Sequence, residues 1–151
     1  MIAQCGVTLA GSSTHWVAPI NSKETIDAVL ALKTWAVVGL GNNPERAAFG
    51  VAKLLQDKGH RIIPVYPRAE EVHGEAGYKT LADIPEQVDV VDCFVNSKLV
   101  GKVVDEAIAI GAKAVWLQLD VIDHEAVGRA QAAGLLTVMD RCPAIEYQAR
   151  A

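Results

Sequence analysis

Thr34-Trp35-Ala36-Val37-Val38-Gly39-Leu40-Gly41-Asn42-Asn43-Pro44-Glu45-Arg46 is the stretch that decides the fold. Trp35–Gly39 is an unbroken apolar run, the pattern of a strand buried on both faces rather than one with a wet side. A glycine-rich turn follows it and opens directly into Glu45–Lys58, whose apolar residues recur at helical spacing. A buried strand feeding a helix through a tight turn is the first half of a βαβ unit.

Working outward, the same alternation repeats. Arg61–Val65, Val88–Phe94, Ala114–Leu119 and Leu136–Met139 read as further buried strands, and Leu99–Ile110 and Asp123–Ala133 as the helices between them. Lys58-Gly59, Ile110-Gly111 and Ala133-Gly134 each put a glycine between a helix and the next strand, as a left-handed C-cap requires. Before the first strand, Ser22 is placed to cap a helix over Lys23–Lys33. Strands joined through helices run parallel with right-handed crossovers. The expected class is therefore α/β, a single-domain Rossmann-like open parallel sheet with helices on both faces. Pro67–Gln87 breaks the alternation and reads as an ordered excursion with at most one helical turn near Leu81–Ile84. Residues 1–21 read as an irregular lead-in and 22–151 as the domain.

Composition excludes several classes of function. The chain has 151 residues, enough for one domain with a core of its own, and is 51% hydrophobic and 21% charged. A net charge of -4 without a basic stripe argues against nucleic-acid binding, which draws on clustered Lys and Arg. The longest apolar runs fall far short of the roughly 20 residues that span a bilayer, so no membrane association is expected. The opening residues lack the cationic start of a secretory signal. Cys5, Cys93 and Cys142 are odd in number and form no CxxC pair, which suits a reducing compartment. The expected location is cytoplasmic.

Ligands of open parallel sheets bind beyond the carboxyl ends of the strands, where connections part to opposite faces. In the loop after the first strand, Gly39 and Gly41 allow a tight turn and close approach to an anion. Asn43 can cap the following helix, and Pro44 suits that helix's first position. Free amides would then face a phosphate, and Arg46 in the first turn could add a charge-assisted contact. The common dinucleotide fingerprint has a third glycine and, about 20 residues on, an acid for the ribose hydroxyls. Here Pro44 replaces that glycine, and the second strand runs into Tyr66-Pro67-Arg68, a cation where NAD would want an acid. Arg68 suits a 2′-phosphate instead.

Taken together, Val37 through Arg46, Gly59-His60-Arg61-Ile62-Ile63-Pro64-Val65-Tyr66-Pro67-Arg68, Val88-Asp89-Val90-Val91-Asp92, Ile110-Gly111-Ala112-Lys113, Trp116-Leu117-Gln118 and Met139-Asp140-Arg141-Cys142-Pro143 resemble the small stand-alone CoA-binding domain family. That family is related to the N-terminal domain of the succinyl-CoA synthetase alpha subunit, and the resemblance runs over about Thr25 to Tyr147. It implies coenzyme A as the cofactor. By the same resemblance, the loop Gly41 to Arg46, with Gly41, Asn42, Asn43 and Arg46, would hold the phosphates, Gly39 and Leu40 belong to the same cofactor-binding turn, and Val65, Tyr66, Pro67 and Arg68 would border the adenosine and its phosphates. Phe94, Val95 and Asn96 would line the crevice after the third strand. The chain departs from the family at Gly41, often Ser there, and at Tyr66, often Asn, which removes two polar side chains.

The remaining reactive residues form no catalytic constellation. His15, His60, His73 and His124 are scattered without metal or acid-base pairing, and surface or packing roles are favoured for them. Cys93 lies within a strand, and burial is the first explanation for Cys142 as well. Asp89, Asp92, Asp120 and Asp140 fall near strand ends, with solvated or capping roles expected. Trp35, Trp116 and Phe94 read as core, and Gln118 either reaches a ligand or only a neighbouring backbone group. The expected function is thus non-catalytic binding of coenzyme A or an acyl-CoA, with no metal. An NADP-binding oxidoreductase and an interaction protein with a vestigial nucleotide site stay open as alternatives. So does the choice between a homodimer and another protein partner.

Overall fold

The computed structural model describes residues 17–151. Within it the alternation read from the sequence becomes five strands, β1 Thr34–Val38, β2 Arg61–Val65, β3 Val90–Cys93, β4 Ala114–Leu117 and β5 Leu136–Val138, all parallel and ordered β2-β1-β3-β4-β5. The helices are α1 Lys23–Leu30, α2 Ala47–Asp57, α3 Ser97–Ala109, α4 His124–Ala132 and α5 Pro143–Ala149, with one 3-10 turn at Leu81–Asp83 inside the excursion. The lead-in expected over residues 1–21 lies, for residues 1–16, outside the described residues.

Both faces of the sheet are covered, and strand alternation decides which side chain goes where. Trp35, Val37, Ile62, Val90 and Trp116 pack with Val29 of α1 and Val51 and Leu55 of α2. Ala36, Ile63, Val91 and Val115 pack with Val100 and Val104 of α3 and Ala126 and Ala130 of α4 on the other face. Trp35 and Trp116 are fully buried, 5.6 Å apart, and their indole N–H groups donate to the Leu32 and Arg141 carbonyls at 2.9 Å. Pro64 is tolerated because β2 is an edge strand of this sheet.

The helix punctuation follows the sequence closely. Ser22 caps α1 by accepting from the Thr25 amide, and Gly59, Gly111 and Gly134 take positive φ after α2, α3 and α4. Several ends move. α1 stops at Leu30, short of Lys33, and β3 and β4 are shorter than the segments Val88–Phe94 and Ala114–Leu119 read for them. α3 begins at Ser97 instead of Leu99, because Asn96 accepts from both the Lys98 and Leu99 amides. α5 has no counterpart in the sequence reading, although Pro143 at its first turn and Glu146 just behind it are ordinary start signals. Its Tyr147 hydroxyl bonds the Leu30 carbonyl and His60 Nε2, which ties the end of the chain back to α1.

Candidate functional site

The chain leaves β1 and β3 toward opposite faces, so a cleft opens between their carboxyl ends. The Gly39 amide still donates to Val65 of β2 and the Phe94 amide to Val38 of β1, each at 2.8 Å. Gly39 then turns at φ 98°, with the Phe94 carbonyl so close that any Cβ at position 39 would overlap it. This glycine is therefore required twice, by backbone conformation and by the neighbouring loop.

Beyond it, the loop is built differently from the sequence expectation. Asn43 does not cap the helix. Its Oδ1 accepts from the Glu45 amide at 3.0 Å, and its carbonyl from the Arg46 amide at 3.1 Å. Asn43–Arg46 is thus a β-turn with Pro44 at its second position, where proline's fixed φ belongs, and α2 starts at Ala47 rather than Glu45. Arg46 itself stands at the N-cap with no side-chain capping bond, exposed at the mouth of the cleft. Ala47 and Ala48, the first residues of α2, line the cleft beside it.

The second loop brings a group that sequence reading missed. Glu70 Oε1 accepts from the Asn42 amide at 2.7 Å, so this amide of the glycine turn already has an anionic partner within the chain. Gly41 makes the approach feasible, since a Cβ there would come within 2.9 Å of Glu70 Oε1 and 3.1 Å of the Tyr66 ring. The two departures noted at Gly41 and Tyr66 therefore belong together, because the ring uses the space that a serine would need. Nothing local in the sequence pairs position 70 with position 42. The contact arises because the excursion folds back along β2, where the Tyr66 amide donates to the Tyr78 carbonyl and the Tyr78 amide to the Pro64 carbonyl.

The third loop carries Phe94 and Val95, both half-buried, and Asn96, whose side-chain oxygen is spent on capping α3. Under this loop lies a buried polar pair. Asp92 is fully buried, contrary to the solvated role expected of it, because its position in β3 points into the protein below the strand end. Its Oδ1 accepts from Gln118 Nε2 at 2.5 Å, while Oδ2 has no hydrogen-bond partner among the described residues. Burial pushes the Asp92 carboxyl up to about 8, against the opposing pull of the Gln118 hydrogen bond, which keeps it protonated at neutral pH. Gln118 thus reaches both ways, to Asp92 and to the cleft wall. Burial likewise pushes the Cys93 thiol up, so it is inert core.

The cleft divides into three adjoining parts that share Gly39 and Arg46. The polar part, about 160 Å³, lies among Gly41, Asn42, Asn43, Tyr66, Arg68 and Glu70. The largest, about 470 Å³, runs between Val65, Tyr66 and Pro67 on one side and Phe94, Val95, Asn96 and Leu99 on the other. A third, about 260 Å³, extends past Phe94 and Val95 to Gln118, Leu119 and Val121. Of the residues singled out from the sequence, Leu40 alone stands apart, its side chain fully buried in the core. Leu99 and Leu119 expose apolar surface at the rim, 58% and 50% respectively. The histidines of the described chain are elsewhere. His60 packs against Trp35 and His73 bonds the Phe49 carbonyl. Among the described residues no group of three His, Cys, Asp or Glu could hold a metal ion, and no helix is long and apolar enough to cross a membrane.

Comparison with known proteins identifies the family. Residues 33–148 match the family described as CoA binding domain. The uncharacterized protein YneT of Bacillus subtilis is 34% identical over 122 residues, 80% of this chain and 90% of that protein. The alpha subunit of acetate–CoA ligase [ADP-forming] II from Pyrococcus furiosus is 36% identical over 81 residues, 53% of this chain but 18% of the subunit. Among solved structures, a hypothetical protein from Pyrococcus horikoshii OT3 superposes with a TM-score of 0.81 at 39% identity, covering 90% of this chain and 98% of that one.

Proposed function

This chain belongs to the CoA-binding domain family, and from that membership we propose that it binds coenzyme A or an acyl-CoA in the cleft between β1 and β3 without itself making or breaking a bond. The observation that carries the reading is the position of Arg46. This residue borders all three parts of the cleft, next to the polar turn and next to two apolar channels. A ligand with a diphosphate at its middle, an adenosine at one end and a pantetheine arm at the other has that order of chemistry.

The fit follows residue by residue. Arg46 and the first amides of α2 would hold the diphosphate, since a helix start and a guanidinium both favour anions. Tyr66, Pro67 and Arg68 would border the adenosine. Phe94, Val95, Leu99 and Leu119 would cover the apolar arm, removing surface from water that the free protein leaves exposed. Gln118 lies where that arm would end, and its amide could bond a carbonyl or amide of the ligand. Bound coenzyme A would supply a thiol or thioester, and a second protein would act on it.

A thermal-shift titration with coenzyme A, acetyl-CoA, NADP and ATP tests this, because a ligand selective for the native state raises the midpoint by mass action. A saturable rise with coenzyme A or acetyl-CoA that exceeds the NADP response is the expected result. No rise with either, or a larger one with NADP, overturns the reading.

A further inference from the structure

The polar end of the cleft already contains an anion supplied by the chain. Glu70 Oε1 holds the Asn42 amide at 2.7 Å, and Oε2 stands 4.0 Å from the Arg68 guanidinium. The backbone fixes that carboxylate in place. The chain turns at Ala69, with φ 50° and its amide donating to the Tyr66 carbonyl at 2.8 Å. The Gly77 backbone lies so close behind that any Cβ at position 77 would overlap the Glu70 carbonyl. Gly41 leaves the space in front into which the carboxylate and the Tyr66 ring fit.

A carboxylate with one oxygen engaged has acceptor capacity left and no donor to offer. A ligand group that meets it must donate a hydrogen bond, and a phosphate in the same place meets like charge across a short distance. Arg68, whose side chain is 76% exposed, has the opposite preference a few ångströms away. We propose that Glu70 is a specificity-determining residue of the cleft, which accepts a hydrogen bond from the ribose 2′-hydroxyl of the bound nucleotide and disfavours a phosphate there. A phosphate on the 3′ carbon is left to Arg68. The inference rests on reading the cleft as an adenosine site, and it separates two classes of cofactor. Nucleotides phosphorylated on the ribose 3′ oxygen, as in coenzyme A, present the hydroxyl that Glu70 takes. Nucleotides phosphorylated on the 2′ oxygen, as in NADP, present the charge it repels.

AMP, adenosine 3′,5′-bisphosphate and adenosine 2′,5′-bisphosphate differ only at the ribose. They are titrated into the full chain and into Glu70→Gln, with affinities read from backbone amide resonances, including that of Asn42. Gln keeps an oxygen for the Asn42 amide and removes the charge, and its amide NH2 can still pair with the 2′-hydroxyl, which then accepts instead of donating. The wild-type chain is expected to prefer the 3′,5′-bisphosphate over the 2′,5′ isomer. E70Q should raise 2′,5′ affinity about tenfold while AMP moves by less than about threefold, the size of one partly screened charge contact. Equal wild-type affinities for the two isomers, or a 2′,5′ affinity that E70Q leaves unchanged, overturns the role of Glu70. Failure of all three nucleotides to shift the Asn42 region overturns it as well. The thermal-shift titration with whole coenzyme A decides the broader reading separately, since the apolar arm can bind without Glu70.

Discussion

Replacing Asp92 by Asn should change how the stability of this protein depends on pH. Asp92 is fully buried, with one oxygen bonded to Gln118 and the other unpartnered, and burial raises its carboxyl to about 8. In the unfolded chain the same group titrates near 3.8. Between those values the native state holds a proton that the unfolded state has lost, so stability is full below about pH 4 and declines as pH rises toward 8. One pH unit corresponds to at most about 1.4 kcal/mol, which makes the decline from pH 5 to pH 7 roughly 3 kcal/mol from this residue alone. Asn is neutral in both states and keeps an oxygen for Gln118. The stability of D92N relative to the wild-type chain should therefore rise by about 3 kcal/mol between pH 5 and pH 7. Urea unfolding of both proteins at pH 5, 6 and 7 measures the difference, and contributions from other titrating groups cancel in it. A difference constant to within about 0.5 kcal/mol over that range, well below the expected change, would show that Asp92 is ionised in the native state and that the burial argument is wrong.

Arg46→Ala removes the group shared by all parts of the cleft, and calorimetry should record about a tenfold or greater loss of coenzyme A affinity, as for a charge-assisted hydrogen bond. Its salt dependence should weaken in step; an unchanged affinity would remove Arg46 from the site. Gly39→Ala places a Cβ against the Phe94 carbonyl at a backbone conformation that disfavours side chains, and chemical unfolding should show a loss of more than about 2 kcal/mol. Gly41→Ser should cost roughly 1 to 2 kcal/mol in the natural chain and markedly less when Tyr66 is also changed to Asn, because the two share one space. Strictly additive effects in that double-mutant cycle would break the link between the two positions.

Much of the architecture was legible because each local signal had its own physical cause. Trp35–Val38, Ile62–Val65 and Ala114–Leu117 are continuous apolar runs, and only strands covered on both faces need them. Gly59, Gly111 and Gly134 mark helix ends because left-handed backbone there excludes most side chains. The errors also have causes. At Asn43 the sequence offers a capping residue followed by proline, and two local structures compete for that pattern. The side chain bonds two residues ahead, so the turn wins and the helix waits until Ala47. α5 was missed because a seven-residue helix is too short for periodicity to declare it.

The candidate cleft was legible where it depends on strand ends and illegible where it depends on what folds over them. Gly39, Arg46, Tyr66 and Phe94 converge because parallel strands place their carboxyl ends on one edge, a rule that can be applied before any coordinate is known. Glu70 obeys no such rule. It lies five residues past the end of β2, in a stretch without periodicity, and reaches Asn42 only because Tyr78 bridges back to Val65 and Gly77 lets the Glu70 carbonyl pack against it. The consequence is chemical as well as topological. The tripeptide Tyr66-Pro67-Arg68 reads as a cationic border, whereas the folded border is a cation and an anion 4.0 Å apart, the anion being the one bonded to the glycine turn. A glycine turn whose amide is held by a carboxylate meets a hydroxyl more readily than a phosphate. On the proposed reading, phosphate recognition would therefore move along the cleft to Arg46 and the start of α2, and the proposed order of ligand groups along the cleft follows from that displacement.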